Sequence, residues 1–353
     1  MEMSSMGKKK VLFILADNVY LTPYLNKYIE RIQSKCDFKV MYWDKNDNEI
    51  IQSDKYIRFY EHNKLIGYIK YKKEIINYLK NNSFDIIIPL HQIIFLLIGN
   101  FLLRNYEYKY IYDVRDYSYE KYYFVRKIQN KLVNKSIINI ISSEGFKEFL
   151  PEAKYFIAHN IPNVVNKSIY DYDFYKHSPI RISYIGLIRF MDQNKKIIDF
   201  FKNDMRFEIS FIGTNALELE EYCKENKVHN VNLVGTFDPK ETMRFYDETD
   251  IIMNLYGNHT PLLDYAISNK FYYSILLKKP ILVCKDTFME KVSKEANVGF
   301  VMELENNEEK DNLYEYYRNI DIKDFEESCN QYLNKVYSDE KLLDKQFELI
   351  LNR

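Results

Sequence analysis

At 353 residues the chain is long enough for two ordinary domains, each with its own core. Hydrophobic residues make up 46% and charged residues 29%, which excludes a disordered chain. The net charge of −1 conceals an asymmetry, because residues 1–165 carry 25 Lys and Arg against 18 Asp and Glu, whereas residues 166–353 carry 25 against 33.

The basic half can face an anionic membrane surface or a polyanionic acceptor, or simply present a solvated face. Four scattered cysteines, with no CxxC pair and no His at ligand spacing, argue against a disulfide framework or a zinc site and fit a reducing cytoplasm. The start, MEMSSMGKKK, lacks the apolar segment of a signal peptide. The longest apolar run, Ile93 to Leu103, is broken by Gly99 and Asn100 and is too short to span a bilayer.

In chain order, Val11 to Leu15 is a continuous apolar run that predicts a buried strand, followed by a helix with Tyr20, Pro23 and Tyr24 near its start. The turn between them holds no glycine, which argues against the GxGxxG turn of a nicotinamide or flavin dehydrogenase. Phe38 to Trp43 reads as a second strand, about Gly67 to Asn81 as a helix, and Phe84 to Leu90 as a buried parallel strand. His91 then falls at a strand's carboxyl end, where open α/β sheets place ligands; it is a substrate contact or a satisfied structural group.

A helix from Ile93 to Arg104 leads to the strand Tyr110 to Tyr112, with Asp113, Arg115 and Asp116 clustered beyond it. Two carboxylates flanking a guanidinium can hold a sugar hydroxyl or act as a base, or form an ion-paired loop. The next helix sets Lys127, Lys131 and Lys135 on one side and Val125, Ile128 and Leu132 on the other, beside Tyr122, Tyr123 and Phe124. Such a helix suits lipid headgroups, or packs as a surface helix with a wet lysine face. Ile137 to Ile141 predicts a strand, and the following SSEGFKEFLP a helix stopped by Pro151. The polar tract from Pro162 to Pro179 is the linker candidate.

Beyond it strands recur at Arg181 to Gly186, Phe207 to Gly213 and Val231 to Gly235. Helices are expected at Ile197 to Phe201, Ala216 to Asn226, Lys240 to Glu248 and finally Leu333 to Leu351. From Asp250 to Cys284 the pattern is strand, glycine loop, polar turn, helix and strand. Ser268 and Asn269 cap a helix start beside Lys270, so backbone N–H groups, a positive dipole end and an ammonium coincide, as in a phosphate site.

The motifs YIGLIR, FIGT, NLVGTFDPKETMRFYDETDI and ISNKFYYSILLKKPIL, in this order, resemble those of the GT-B glycosyltransferases, and the second half is similar to glycosyltransferase family 4. The resemblance implies an α/β fold of two Rossmann-like doubly wound parallel-sheet domains facing a central cleft. The acceptor domain would span residues 1–165, the linker 166–179, the donor domain 180–332, and a helix over 333–353 would cross back to the first domain.

It further implies metal-independent, retaining transfer of a sugar from a nucleoside-diphosphate donor to a saccharide or lipid-linked acceptor, as in bacterial surface polysaccharide assembly. No cofactor and no nucleic-acid partner are expected; the protein would be cytoplasmic, with a peripheral contact at the inner face of the membrane through its basic half. Donor contacts would come from Gly186, Asn254, Tyr256, Ser268, Asn269 and Lys270, chemistry from Arg189, Lys195, Asp113 and Asp116, and acceptor contacts from His91 and Arg115. The family's paired glutamates are missing: Tyr273 stands at the second position, Tyr265 at the first, and Asp264 one residue away. A glycosyltransferase-like partner subunit without catalysis is therefore the alternative. A nucleotide-sugar epimerase on the same fold would need acid and base groups that only His91 and Asp113 to Asp116 could supply.

Overall fold

The computed structural model describes residues 8–168 and 177–352, so the linker candidate, residues 166–179, lies mostly outside the described residues. The chain divides into two compact units, Met1–His159 with Ser338–Arg353, and Asn160–Tyr337.

The first unit runs β1 (Lys9–Leu15), α1 (Tyr24–Ile32), β2 (Cys36–Trp43), β3 (Tyr56–Phe59), α2 (Lys64–Asn81), β4 (Ile86–Leu90), α3 (Gln92–Asn105), β5 (Ile111–Val114), α4 (Tyr123–Asn134), β6 (Ile138–Ile141) and β7 (Tyr155–Ile157). All pairings are parallel. The order is β3-β2-β1-β4, joined through a parallel bridge between Ile87 and Tyr110 to β5-β6-β7. Helices on both faces bury these strands, which is why Val11 to Leu15 is apolar without alternation and has no solvent exposure. Two strand-to-helix readings shift here. Asp113 lies inside β5 rather than past its end, and the segment after β6 forms only a 3-10 turn, Glu144–Glu148, too short for an α-helix.

The second unit runs β8 (Ile180–Ile185), α5 (Met191–Phe201), β9 (Phe207–Ile212), α6 (Glu220–Glu225), β10 (Val231–Val234), α7 (Thr242–Asp247), β11 (Ile251–Asn254), α8 (Pro261–Asp264), α9 (Asn269–Leu277), β12 (Ile281–Cys284), α10 (Phe288–Glu295), β13 (Gly299–Met302), α11 (Glu308–Arg318) and α12 (Ile322–Leu351). Its sheet is parallel, in the order β10-β9-β8-β11-β12-β13. Each unit therefore reverses strand order beside its first strand, at β1/β4 and at β8/β11. Open α/β sheets open a ligand crevice at that switch point, outside the carboxyl ends of the strands.

Helix α12 belongs to both units. Phe325, Cys329, Leu333 and Val336 join the core built on α9, while Leu343, Phe347 and Ile350 join the core containing Leu25, Tyr28 and Ile32 of α1. These residues form one apolar stripe at helical spacing, so the helix starts at Ile322 rather than at Leu333. On the α1 side Arg31 bridges Glu340 and Asp344 of the same helix.

Candidate functional site

The switch point of the second unit is built from the turn after β8, the end of β11 and the start of α9. Gly186 has φ +121°, a conformation that side chains rarely adopt, and a Cβ there would lie 3.9 Å from the Lys270 Nζ. Gly213, after β9, packs so tightly beneath it that a Cβ would come within 1.9 Å of the Gly186 carbonyl oxygen. The backbone is thus bare where Lys270 arrives. Ser268 caps α9, its Oγ accepting the Lys270 N–H at 3.3 Å, and so fixes the helix start that aims the ammonium.

Lys270 is 8% exposed. Its Nζ donates to the Tyr256 hydroxyl at 2.7 Å and lies 4.6 Å from the centre of the Tyr184 ring. Its pKa is lowered from 10.5 to about 8, chiefly by burial and with a smaller contribution from the neighbouring Arg189 guanidinium, against which Tyr184 acts; among the described residues no carboxylate is one of the groups acting on it. A buried cation supported by a phenol and an aromatic face is short of a counter-charge, a condition concentrated at functional sites. Anion affinity at this site is expected to be full near neutral pH and to fall once Lys270 loses its proton above about pH 8. Titration of inorganic pyrophosphate across that range, with Lys270→Arg removing the fall, checks it.

Arg189 is placed by its backbone. The Tyr184 hydroxyl donates to Leu187 O at 2.9 Å and accepts the Arg189 N–H at 3.2 Å, while Asn194 Nδ2 donates to Arg189 O at 2.7 Å. The guanidinium itself is exposed. Tyr256 packs between Tyr184 and Phe190, with ring centres 5.2 and 5.7 Å away; burial pushes its hydroxyl up to about 12, so it is a neutral hydrogen-bonding group. Asn254, at the end of β11, keeps a buried Oδ1 that accepts no hydrogen bond among the described residues, and so does Asp264 at the end of α8. Both can accept a hydrogen bond from a ligand hydroxyl.

Gly186, Arg189, Asn254, Tyr256, Ser268 and Lys270 therefore meet around one crevice edge, and Asn269 is exposed on the first turn of α9. Lys195 does not join them. Helix α5 begins at Met191 rather than Ile197, so Lys195 sits on its second turn, with Nζ 5.1 Å from the Tyr222 ring centre on the side of α6. Tyr184 was not expected from sequence: it lies inside an apolar strand, and its hydroxyl acts on residues it meets only through the loop. Tyr273 stacks on Tyr246 of α7 with ring centres 4.3 Å apart, so an aromatic pair fills the position at which the resemblance expects a glutamate.

In the first unit Asp113 and Arg115 form a buried pair. Arg115 Nε donates to both Asp113 oxygens at 2.8 and 3.0 Å, Tyr28 donates to Asp113 Oδ2 at 2.8 Å, and Arg115 Nη1 donates to Ala158 O at 3.2 Å. With no exposed surface on its side chain, Asp113 sits in a buried ion pair with Arg115, the ion-paired alternative of the sequence reading rather than an open base. Asp116 is exposed in the loop beyond β5. His91 directly follows β4 at this unit's switch point, in the strained φ of +127°, and caps α3 by accepting the Ile93 N–H on Nδ1 at 3.2 Å. That bond leaves Nε2 to carry the neutral ring's proton. Partial burial and then the Lys45 ammonium hold its pKa below the ordinary value. His91 is thus arranged as a neutral N–H donor.

No protein-family model matches the chain, and no curated protein matches it by sequence. Solved structures do match. WaaB, a lipopolysaccharide outer core galactosyltransferase in its apo form, superposes with a TM-score of 0.62 at 14% identity, over 93% of this chain and 99% of that one. Sucrose-phosphate synthase from Thermosynechococcus elongatus gives 0.68 at 10% identity, over 98% of this chain and 100% of that one. A Listeria monocytogenes structure described as a UDP-N-acetylglucosamine 2-epimerase gives 0.60 at 11% identity, over 92% and 91%. At such identities the likeness establishes the fold, GT-B, with two Rossmann-like parallel-sheet domains and a C-terminal helix that crosses back; it leaves the activity to be argued from the site.

Proposed function

We propose that the chain is a glycosyltransferase that takes a sugar from a nucleoside-diphosphate donor bound at the Gly186–Lys270 crevice. The acceptor, a saccharide or a lipid-linked saccharide in surface polysaccharide assembly, would be held by the first unit near His91. The carrying observation is the buried Lys270 ammonium, which faces a bare glycine turn with no counter-charge among the described residues. Diphosphate supplies that charge. As the glycosidic bond to the donor breaks, negative charge grows on the leaving diphosphate, and Lys270, Arg189 and the α9 N–H groups oppose it. These cations give the site a metal-independent way to stabilise the leaving group. Asn254 Oδ1 and Asp264 Oδ1 are acceptors suited to donor hydroxyls, and retention of configuration is the outcome that the family resemblance implies.

Incubation with nucleotide sugars is expected to give transfer or slow donor hydrolysis that drops by about 10²–10³-fold in Lys270→Ala and in Arg189→Ala. The Tyr246–Tyr273 stack favours one second reading, a partner subunit that binds nucleotide without turning it over. Tight nucleotide binding with no hydrolysis or transfer of any donor would select it. No described helix is long and apolar enough to cross a membrane.

A further inference from the structure

Helix α9 starts at the crevice and then runs into the core, and almost none of it is open. Of its nine residues seven are buried; Asn269 is exposed and Tyr273 is partly exposed. These two stand at i and i+4, so a single open stripe leads from the first turn, beside Lys270, to the Tyr273 ring. That ring lies flat on Tyr246 of α7, with centres 4.3 Å and planes 17° apart. Tyr246 is 2% exposed and belongs to the core that contains Phe271 and Tyr272. The Tyr273 ring is therefore held at a fixed tilt, whereas its hydroxyl has no hydrogen-bond partner among the described residues.

The wall along this stripe is made of phenols. Tyr273 and Tyr256 both act on the Tyr246 hydroxyl, and Tyr256 in turn accepts from Lys270. Burial raises the pKa of all three tyrosines, so they are neutral, and among the described residues no carboxylate is one of the groups acting on them. A nucleoside diphosphate sugar leaves its diphosphate in two directions. With the hydroxyls of the transferred sugar on Asn254 and Asp264, the other phosphoester leads the pentose of the nucleoside onto the Tyr273 stripe. A ribose brings two neighbouring hydroxyls, which the two oxygens of a carboxylate can accept together. A phenol pairs with one of them and leaves the other to lose its water against an aromatic ring without a partner.

We infer that the donor nucleotide is a deoxyribonucleoside diphosphate. Tyr273, braced by Tyr246, pairs with the one hydroxyl of the deoxyribose ring and packs against the neighbouring carbon, which carries no oxygen. This rests on the reading of the crevice as a nucleoside-diphosphate site and narrows it to one class of pentose. It holds equally for a transferase and for a subunit that binds nucleotide without turning it over.

The test is isothermal titration of the full chain with matched pairs that differ only in the pentose: thymidine diphosphate against its ribo analogue, and UDP, ADP and GDP each against its deoxy form. In every pair that binds, the deoxy form is expected to bind about fivefold or more tighter. Tyr273→Glu, which supplies a two-oxygen acceptor, is expected to reverse that order. Tyr273→Phe, which keeps the stack and leaves thermal unfolding unchanged, is expected to weaken the deoxy form about fivefold, and it decides the matter if the glutamate variant does not fold. Equal or tighter binding of the ribo form by the unaltered chain overturns the inference, and so does a deoxy affinity and preference that neither Tyr273 variant changes. A ribo preference refutes this inference alone, because the crevice then still binds nucleoside diphosphates; a folded chain that binds no member of any pair loses the crevice reading and this inference together.

Discussion

Replacing Lys270 with methionine is expected to make the free protein more stable while abolishing its affinity for nucleoside diphosphates. The side chain is buried, its Nζ lies 4.6 and 5.4 Å from the Tyr184 and Tyr256 ring centres, and methionine fills a similar volume without the charge. Below about pH 8 the folded wild type holds an ammonium in surroundings that disfavour it, whereas the unfolded chain carries the same charge in water. Between about pH 8 and the ordinary 10.5 the unfolded state binds more protons, so wild-type stability rises with pH across that window, and Lys270→Met removes the rise. Urea unfolding at neutral pH should show a gain on the order of 1–3 kcal/mol. Diphosphate affinity should fall by about a hundredfold or more, the loss of a charge-assisted contact in a buried site. A loss of both stability and binding would mean that the ammonium is a structural element.

Arg115→Met is expected to have the opposite thermodynamic signature, a loss of about 3–5 kcal/mol, because it strands the Asp113 carboxylate where no surface is exposed. Burial raises the Asp113 pKa, and Arg115 and the Tyr28 hydroxyl pull it back; burial likewise disfavours the Arg115 charge, but the Asp113 carboxylate outweighs it. Replacing both partners, Asp113→Leu with Arg115→Met, should recover much of the loss, since neither charge is then left alone. If Asp113 instead acted as a base, its replacement would leave unfolding unchanged and remove turnover.

The sheets could be read from sequence because parallel strands covered on both faces are continuous apolar runs, and β1, β4, β8 and β11 all have that character. The α9 start was equally legible: a serine cap, a lysine and an apolar helix are local features. What surrounds Lys270 was legible only in part: Tyr256, in the loop after β11, is among the expected donor contacts, whereas Tyr184 reaches Lys270 from β8 and looks like an ordinary core tyrosine in sequence.

The start of α5 was missed for a local reason. Asn194 is buried on its core side with Ile197, Ile198 and Phe201, and a polar residue there hides the continuation of the stripe that turns Lys195 toward α6. Helix α11 was concealed within an acidic stretch whose buried residues are Leu313 and Tyr317, one turn apart. The exposed apolar side of α2 is hard to see in sequence because Ile69 and Ile76 are interleaved with the buried Ile75 and Leu79 in one helix.

The central claim is that an anion completes the crevice between Gly186 and Lys270, and that the anion is a nucleoside diphosphate. Isothermal titration of the full chain with a panel of nucleoside diphosphates at neutral pH tests it most directly. Saturable binding of at least one of them, absent in Lys270→Met, is the predicted result. A folded protein that binds none of the panel, or binds one equally well without Lys270, would contradict it.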